Sequence, residues 1–160
     1  FSIYAIGAGA SKVVSVDGSQ KAIDWTNKNV ELNYGICDRH QSVCTDAFDY
    51  LKQEAHQFDL IVLDPPAFAK NINATDKAVI GYRNLNEIAI KSIKPGGILF
   101  TFSCSQPIDK TLFRKTVFTA SAKVGRSVRI LHQLEQGPDH PINLFHPEGE
   151  YLKGLVLLID

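Results

Sequence analysis

The sequence has no methionine at all and only one tryptophan, Trp25. Without methionine it lacks an initiator of its own, and it opens on FSIYAIGAGA, which reads as the inside of an element. The polypeptide is therefore expected to be part of a longer one. Net charge is missing too, since 17 Lys and Arg balance 17 Asp and Glu. A nucleic-acid partner is not announced by overall charge, and any basic patch must be local. Cysteine is scarce and odd in number, so Cys37, Cys44 and Cys104 form no paired framework. In the absence of a signal-peptide pattern, that favours a reducing, cytoplasmic setting over a secreted one. No apolar run approaches the ~20 residues of a membrane helix, so no membrane contact is expected. Repeats and low-complexity tracts are absent.

What is present is ordinary globular composition, with 44% hydrophobic and 21% charged residues in a chain of 160. That is enough for one domain, residues 1–160, with a real core. The most informative stretch is FDLIVLDPPAF, residues 58–68. Its β-branched apolar run predicts a short strand over 58–63, buried on both faces. Pro65 and Pro66 cannot extend a ladder or start a helix interior, so the chain must leave the sheet there. Asp64 is then held at the carboxyl end of a central strand, where open α/β sheets bind ligands.

Taken in order, residues 1–6 read as a helix tail stopped by Gly7 and Gly9. A strand over 12–16 ends at Asp17; Gly18 gives the exit and Ser19 caps a helix over 20–33. A third strand, 41–44, leads to Asp46 and a helix over 47–56 with Phe48, Leu51 and Ala55 on one face. Residues 70–75 are polar and expected to be mobile. A helix follows over 76–93, with Ile80, Leu85, Ile88 and Ile93 apolar, and then a turn at Pro95-Gly96-Gly97. A buried strand, 98–102, ends in Ser103-Cys104-Ser105. Asp109 caps a helix to 124. Two strands, 128–134 and 152–159, flank a loop rich in Pro, His and Gly. The order predicts a doubly wound, mostly parallel α/β sheet. Its last strand is antiparallel, because no helix separates it from the one before.

Asp17, Asp46, Asp64 and Cys104 each follow a strand, which would put them on one rim. A carboxylate after a strand can hold the hydroxyls of a ribose. An acid after the next strand can accept from an adenine amino group. Each of Asp17 and Asp46 alone reads as well as a helix cap. Together they point to a dinucleotide or an adenosyl ligand.

The segments VVSVDGSQKAIDWTNKNVELN, DAFDYL, FDLIVLDPPAFAK, GYRNLN, KPGGILFTFSCS and PDHP with PEGEYLKGLVL resemble the catalytic domain of class I S-adenosylmethionine-dependent methyltransferases. Within that superfamily they are most similar to enzymes that methylate C5 of a cytosine in large-subunit ribosomal RNA. The resemblance implies a Rossmann-like fold, S-adenosyl-L-methionine as cofactor and ribosomal RNA as partner. It implies Asp17 and Gly18 at the cofactor ribose, Asp46 and Ala47 at the adenine, and Asp64 and Pro65 beside the methionine moiety and target base. Cys104 would be the nucleophile. It also implies a first, central strand and a glycine-rich loop that this stretch lacks, Phe1 resembling the last residue of a GGF-type loop. Gly7 and Gly9 precede a strand rather than follow one, the wrong context for that loop. Such a gap would expose two sheet edges. It would be filled by residues outside this stretch, by rearrangement, or by another chain, as a homo-oligomer or by strand complementation.

The thiol has a chemical rationale of its own. C5 of cytosine is a poor nucleophile, and a thiolate adding to C6 makes it a better one. A thiol both attacks and leaves readily when its site favours the thiolate. The base must be flipped out to reach such a pocket, and Asp64 could hydrogen-bond the ring and support proton movement. The competing reading of Cys104 is a buried small hydrophobe, against which the flanking serines and the strand end argue. His40 lies between Cys37 and Cys44, but the spacing matches no familiar zinc pattern, so no metal is expected. Lys70 and Arg83 flank the proline loop and could meet RNA phosphate, or be solvated surface charge. Phe68 could stack on a base, or belong to the core. Three rival functions stand beside the first. An amino-group methyltransferase of adenine or guanine uses D/N-P-P-aromatic, but here Ala67 takes the aromatic's place. A dehydrogenase lacks an in-context G-x-G-x-x-G. A non-catalytic RNA-binding or assembly remnant needs neither.

Overall fold

A computed structural model describes residues 1–53 and 57–160. The chain divides into two compact units, Phe1–Gln53 and Glu54–Asp160.

The first unit runs α1 (Ser2–Gly7), β1 (Val13–Asp17), α2 (Gln20–Tyr34), β2 (His40–Cys44) and α3 (Ala47–Gln53). β1 and β2 pair in parallel, from Val13 opposite His40 to Asp17 opposite Cys44. Ser19 caps α2 as expected, accepting from the Ala22 amide. Gly35 ends it at φ 64, a conformation that glycine adopts without a Cβ penalty. Ile23 and Val30, two turns apart, are its buried face. Ser2, Ser15 and His40 form a hydrogen-bonded chain, 2.7 Å and 2.9 Å long in its two links. The expected end of α3, including Ala55 and His56, lies outside the described residues.

The second unit contains β3 (Phe58–Leu63), α4 (Thr75–Ser92), β4 (Ile93–Ser103), α5 (Lys110–Val124), β5 (Val128–Leu134) and β6 (Lys153–Ile159). The strands lie in the order β3-β4-β6-β5. β3 and β4 are parallel, and β6 is antiparallel to both β4 and β5. The last strand therefore reverses direction, as the sequence predicts, and it does so from inside the sheet. That position buries Leu155, Val156, Leu157 and Ile159. α4 adds Tyr82, Leu85, Ala89 and Ile90 to the core, and α5 adds Phe113, Val117 and Ala120. Asp109 caps α5, accepting from Leu112 at 2.6 Å. Between these helices the buried carboxylate of Glu87 meets Lys123 at 2.8 Å and Arg83 at 3.4 Å.

Several expectations change. β3 is not buried on both faces throughout: Asp59 and Leu60 are exposed, Leu60 by 50%. Among the described residues of its unit, β3 pairs with β4 alone and no strand covers its other edge. Pro95-Gly96-Gly97 is not a free turn between helix and strand. β4 already begins at Ile93, opposite Phe58, and resumes with Ile98 opposite Leu60. Residues 94–97 bulge opposite Asp59, with Gly96 at φ 77 and Lys94 bound to Asp59 at 2.8 Å. Within 70–75, Ile72–Ala74 form a 3-10 turn that leads into α4. On α4, Ile80 is 47% exposed rather than part of the apolar face.

No described helix is long and apolar enough to cross a membrane.

Candidate active site

The register of β3 and β4 builds the site. Leu63 stands opposite Thr101 in a parallel pair, so Asp64 and Cys104 both leave the sheet at the same carboxyl edge. The serines around Cys104 then fix the loop above it. Ser105 is fully buried, and its Oγ accepts the Ala69 amide hydrogen at 3.0 Å and lies 2.8 Å from the Tyr82 hydroxyl. A hydroxyl can both donate and accept, so Ser105 serves both partners at once. One side chain thereby ties the strand end, the proline loop and α4 together. Ser103 Oγ accepts from the Ser105 amide at 3.3 Å and tightens the turn.

The result is that the thiol of half-buried Cys104 sits under the proline loop, with Sγ donating to the Pro65 carbonyl at 3.8 Å. Asp64 is the residue before that proline. Partial burial of its carboxyl pushes its pKa above the usual carboxylate value.

The residues expected to meet RNA fare differently. Lys70 is exposed. The Phe68 ring packs on Tyr82, with centroids 4.6 Å apart, and Tyr82 meets Phe113 edge-on. Gly81 permits that approach, since a Cβ there would lie 3.0 Å from the Phe68 ring. Arg83 points along α4 to Glu87.

In the first unit, the register of Asp17 with Cys44 puts Asp17 and Asp46 at one end of the parallel pair. Both are exposed, and both do cap work. Asp17 Oδ1 accepts from Ser19 at 2.7 Å, and Asp46 Oδ1 accepts from Phe48 at 2.8 Å and Asp49 at 3.3 Å. Each cap anchors one oxygen and thereby orients the other. A Cβ at Gly18 would meet nothing within 4 Å, so the turn between them is open. Anchored, exposed carboxylates beside open space suit the hydroxyl and amino donors of an adenosine. Among the described residues no group of His, Cys, Asp and Glu could hold a metal ion.

Sequence reasoning missed Tyr82, Ser105 as a tie, and Lys153. Lys153 is 5% exposed and donates to the carbonyls of Ser105 at 2.7 Å and Tyr151 at 2.6 Å. The available signal was a lysine opening an otherwise apolar strand, KGLVLLI.

A family model described as conserved hypothetical protein 95 matches residues 1–95. The ribosomal RNA large subunit methyltransferase I of Aeromonas salmonicida is 43% identical over 160 residues, covering 98% of this chain and 40% of that protein. The protein of the same name from Pseudoalteromonas translucida is 43% identical over 159 residues, with the same coverages. The chain thus spans about 40% of the length of the curated relatives it matches. Among solved structures, that of SMU.776 complexed with SAH aligns with a TM-score of 0.83 at 22% identity, covering 98% of this chain and 41% of that one. Trm1 from Pyrococcus horikoshii with S-adenosyl-L-methionine aligns with a TM-score of 0.70 at 14% identity, covering 99% and 47%. These likenesses show the fold, an α/β Rossmann-like one with a mixed sheet.

Proposed function

The chain belongs to the family described as conserved hypothetical protein 95, and on that footing we propose that it carries the methyl-transfer site of an S-adenosylmethionine-dependent methyltransferase acting on C5 of a cytosine in large-subunit ribosomal RNA. One observation carries the reading: the 3.8 Å approach of Cys104 Sγ to the Pro65 carbonyl. It sets a half-buried thiol beside an acid-proline-proline turn on one sheet edge. C5 chemistry needs such a thiol, and transfer to an exocyclic amine does not. The packing of Phe68 on Tyr82 also weighs against the amine reading, which needs an aromatic free to face the base. The names of the curated relatives support ribosomal RNA as the substrate. The ligands named with the solved neighbours support the cofactor.

Asp17 and Gly18 would hold the cofactor ribose, and Asp46 and Ala47 the adenine. Asp64 and Pro65 would lie by the methionine moiety. When bound, S-adenosylmethionine supplies an electrophilic methyl group on a sulfonium. Cys104 does the covalent work. Its sulfur bonds to C6 of the flipped-out cytosine, and the C5=C6 electron pair moves to C5, which takes the methyl. Loss of the C5 proton restores the double bond, breaks the S–C6 bond and frees the thiolate. Asp64, whose pKa partial burial raises above its ordinary value, would share a proton with the ring. Lys70 is the candidate phosphate contact. The setting is the cytoplasm, with ribosomal RNA as partner. The uncovered edge of β3 would be completed by a strand from outside residues 1–160 or from a second copy.

The test is mass spectrometry of nucleosides from ribosomal RNA incubated with the full-length protein and isotopically labelled cofactor. Label on 5-methylcytidine is expected. Label on an exocyclic amine would favour the rival chemistry, and no label would contradict methyl transfer.

A further inference from the structure

Lys153 is the only lysine in the buried set among the described residues. Its two hydrogen-bond partners are neutral carbonyls, those of Ser105 and Tyr151, and no described carboxylate lies within ion-pair range of it. A buried ammonium without a carboxylate is costly, and two carbonyls recover only part of that cost. Burial accordingly pulls its pKa below the ordinary lysine value, while negative charge at Cys104 and Asp109 partly opposes the effect.

The surrounding charges narrow what this cation serves. Asp109 is already committed to the Leu112 amide at the head of α5. Lys110, next along, is held by Glu135 and Glu150. Asp64, the other acid at this sheet edge, disfavours a second negative charge when ionised. That leaves the Cys104 sulfur as the neighbouring ionisable group with no charged partner of its own, its one hydrogen bond going to the Pro65 carbonyl. The ladder fixes the placement, because Lys153, the first residue of β6, pairs with Ser103, the last of β4 and the residue before Cys104.

We infer that Lys153 is a positioning residue for Cys104: it ties the strand end to the Tyr151 segment and holds a positive charge that favours the thiolate. The inference rests on Cys104 being the nucleophile of the proposed reaction. No bond to Lys153 forms; the thiol proton passes to solvent, and the ammonium steadies the anion that remains.

The test is iodoacetamide alkylation of the full-length protein between about pH 6 and pH 10, read peptide by peptide so that Cys104 is scored against exposed Cys44 in the same molecule. In the parent, Cys104 is expected to react faster than Cys44 at about pH 7 despite its lesser exposure. Lys153→Gln should slow Cys104 roughly tenfold there, leave Cys44 unchanged, and converge with the parent near pH 10. Lys153→Arg, which keeps the charge, should restore most of the rate. Three results would overturn the inference: a Lys153→Gln rate equal to or above the parent's, a deficit that persists at high pH, or a parent in which Cys104 is the slower thiol. If Lys153→Gln fails to fold, the parent's Cys104-to-Cys44 ratio and the Arg variant still decide. Failure of the nucleophile reading shows separately, as the absence of a covalent RNA adduct at Cys104 in a protein whose alkylation depends on Lys153.

Discussion

Ser105 Oγ accepts the amide hydrogen of Ala69 at 3.0 Å, across 36 positions of sequence and inside the core. Replacing it with alanine strands that amide and also the Tyr82 hydroxyl. Each orphaned buried group costs roughly 1–3 kcal/mol. Ser105→Ala should therefore lower stability by about 2–6 kcal/mol in urea titrations. Tyr82→Phe should cost about 1 kcal/mol alone but recover roughly 1–3 kcal/mol in the Ser105→Ala background, where it removes the hydroxyl that has lost its partner. Additive losses would show that the two residues do not share the tie.

The imidazole of His40 is held below its ordinary pKa of 6.5 by burial next to Ser15. The unfolded chain then binds a proton there that the folded chain resists. His40 therefore contributes fully above 6.5, and its contribution is lost as the pH falls below that value toward the folded one. Urea midpoints read from Trp25 fluorescence should be lower at about pH 5.5 than at about pH 7.5. His40→Gln should shrink the difference. An undiminished difference in that variant would place the titrating group elsewhere.

Lys70 and Arg83 flank the same loop and should behave differently. Lys70 is exposed, so Lys70→Ala should weaken RNA binding across sequences and reduce the salt slope by about 1. Arg83 is engaged with Glu87, which also holds Lys123. Arg83→Ala should leave the salt slope unchanged and lower the melting temperature instead. Filter binding across a salt series distinguishes the two, and equal slopes for both variants would contradict the assignment.

Much of this fold is written in local chemistry. The strand over Phe58–Leu63 is legible because a β-branched run stops at twin prolines, and Ser19 and Asp109 announce their helices as caps. The reversed last strand follows from the lack of a helix between it and its predecessor. The bulge at Pro95-Gly96 was not legible, since the same residues make a free turn unless a partner strand pairs on both sides of them. The exposure of Leu60 depends on what covers the outer edge of β3, which its own residues do not state. Within the candidate site, Asp64 and Cys104 stand out as polar residues ending apolar strands. Tyr82 and Lys153 do not, because a tyrosine at helical spacing reads as core and a lysine at a strand's start reads as surface. Their roles come from partners 23 and 48 positions away.

The most direct measurement of the central claim is covalent trapping with RNA containing 5-fluorocytosine, where a fluorine in place of the departing proton blocks release of the thiol. Full-length protein, cofactor and this RNA should give a stable adduct whose linked peptide carries the nucleotide on Cys104, and Cys104→Ala should give none. An adduct at Cys37 or Cys44, or methylated product formed by Cys104→Ala, would contradict the account.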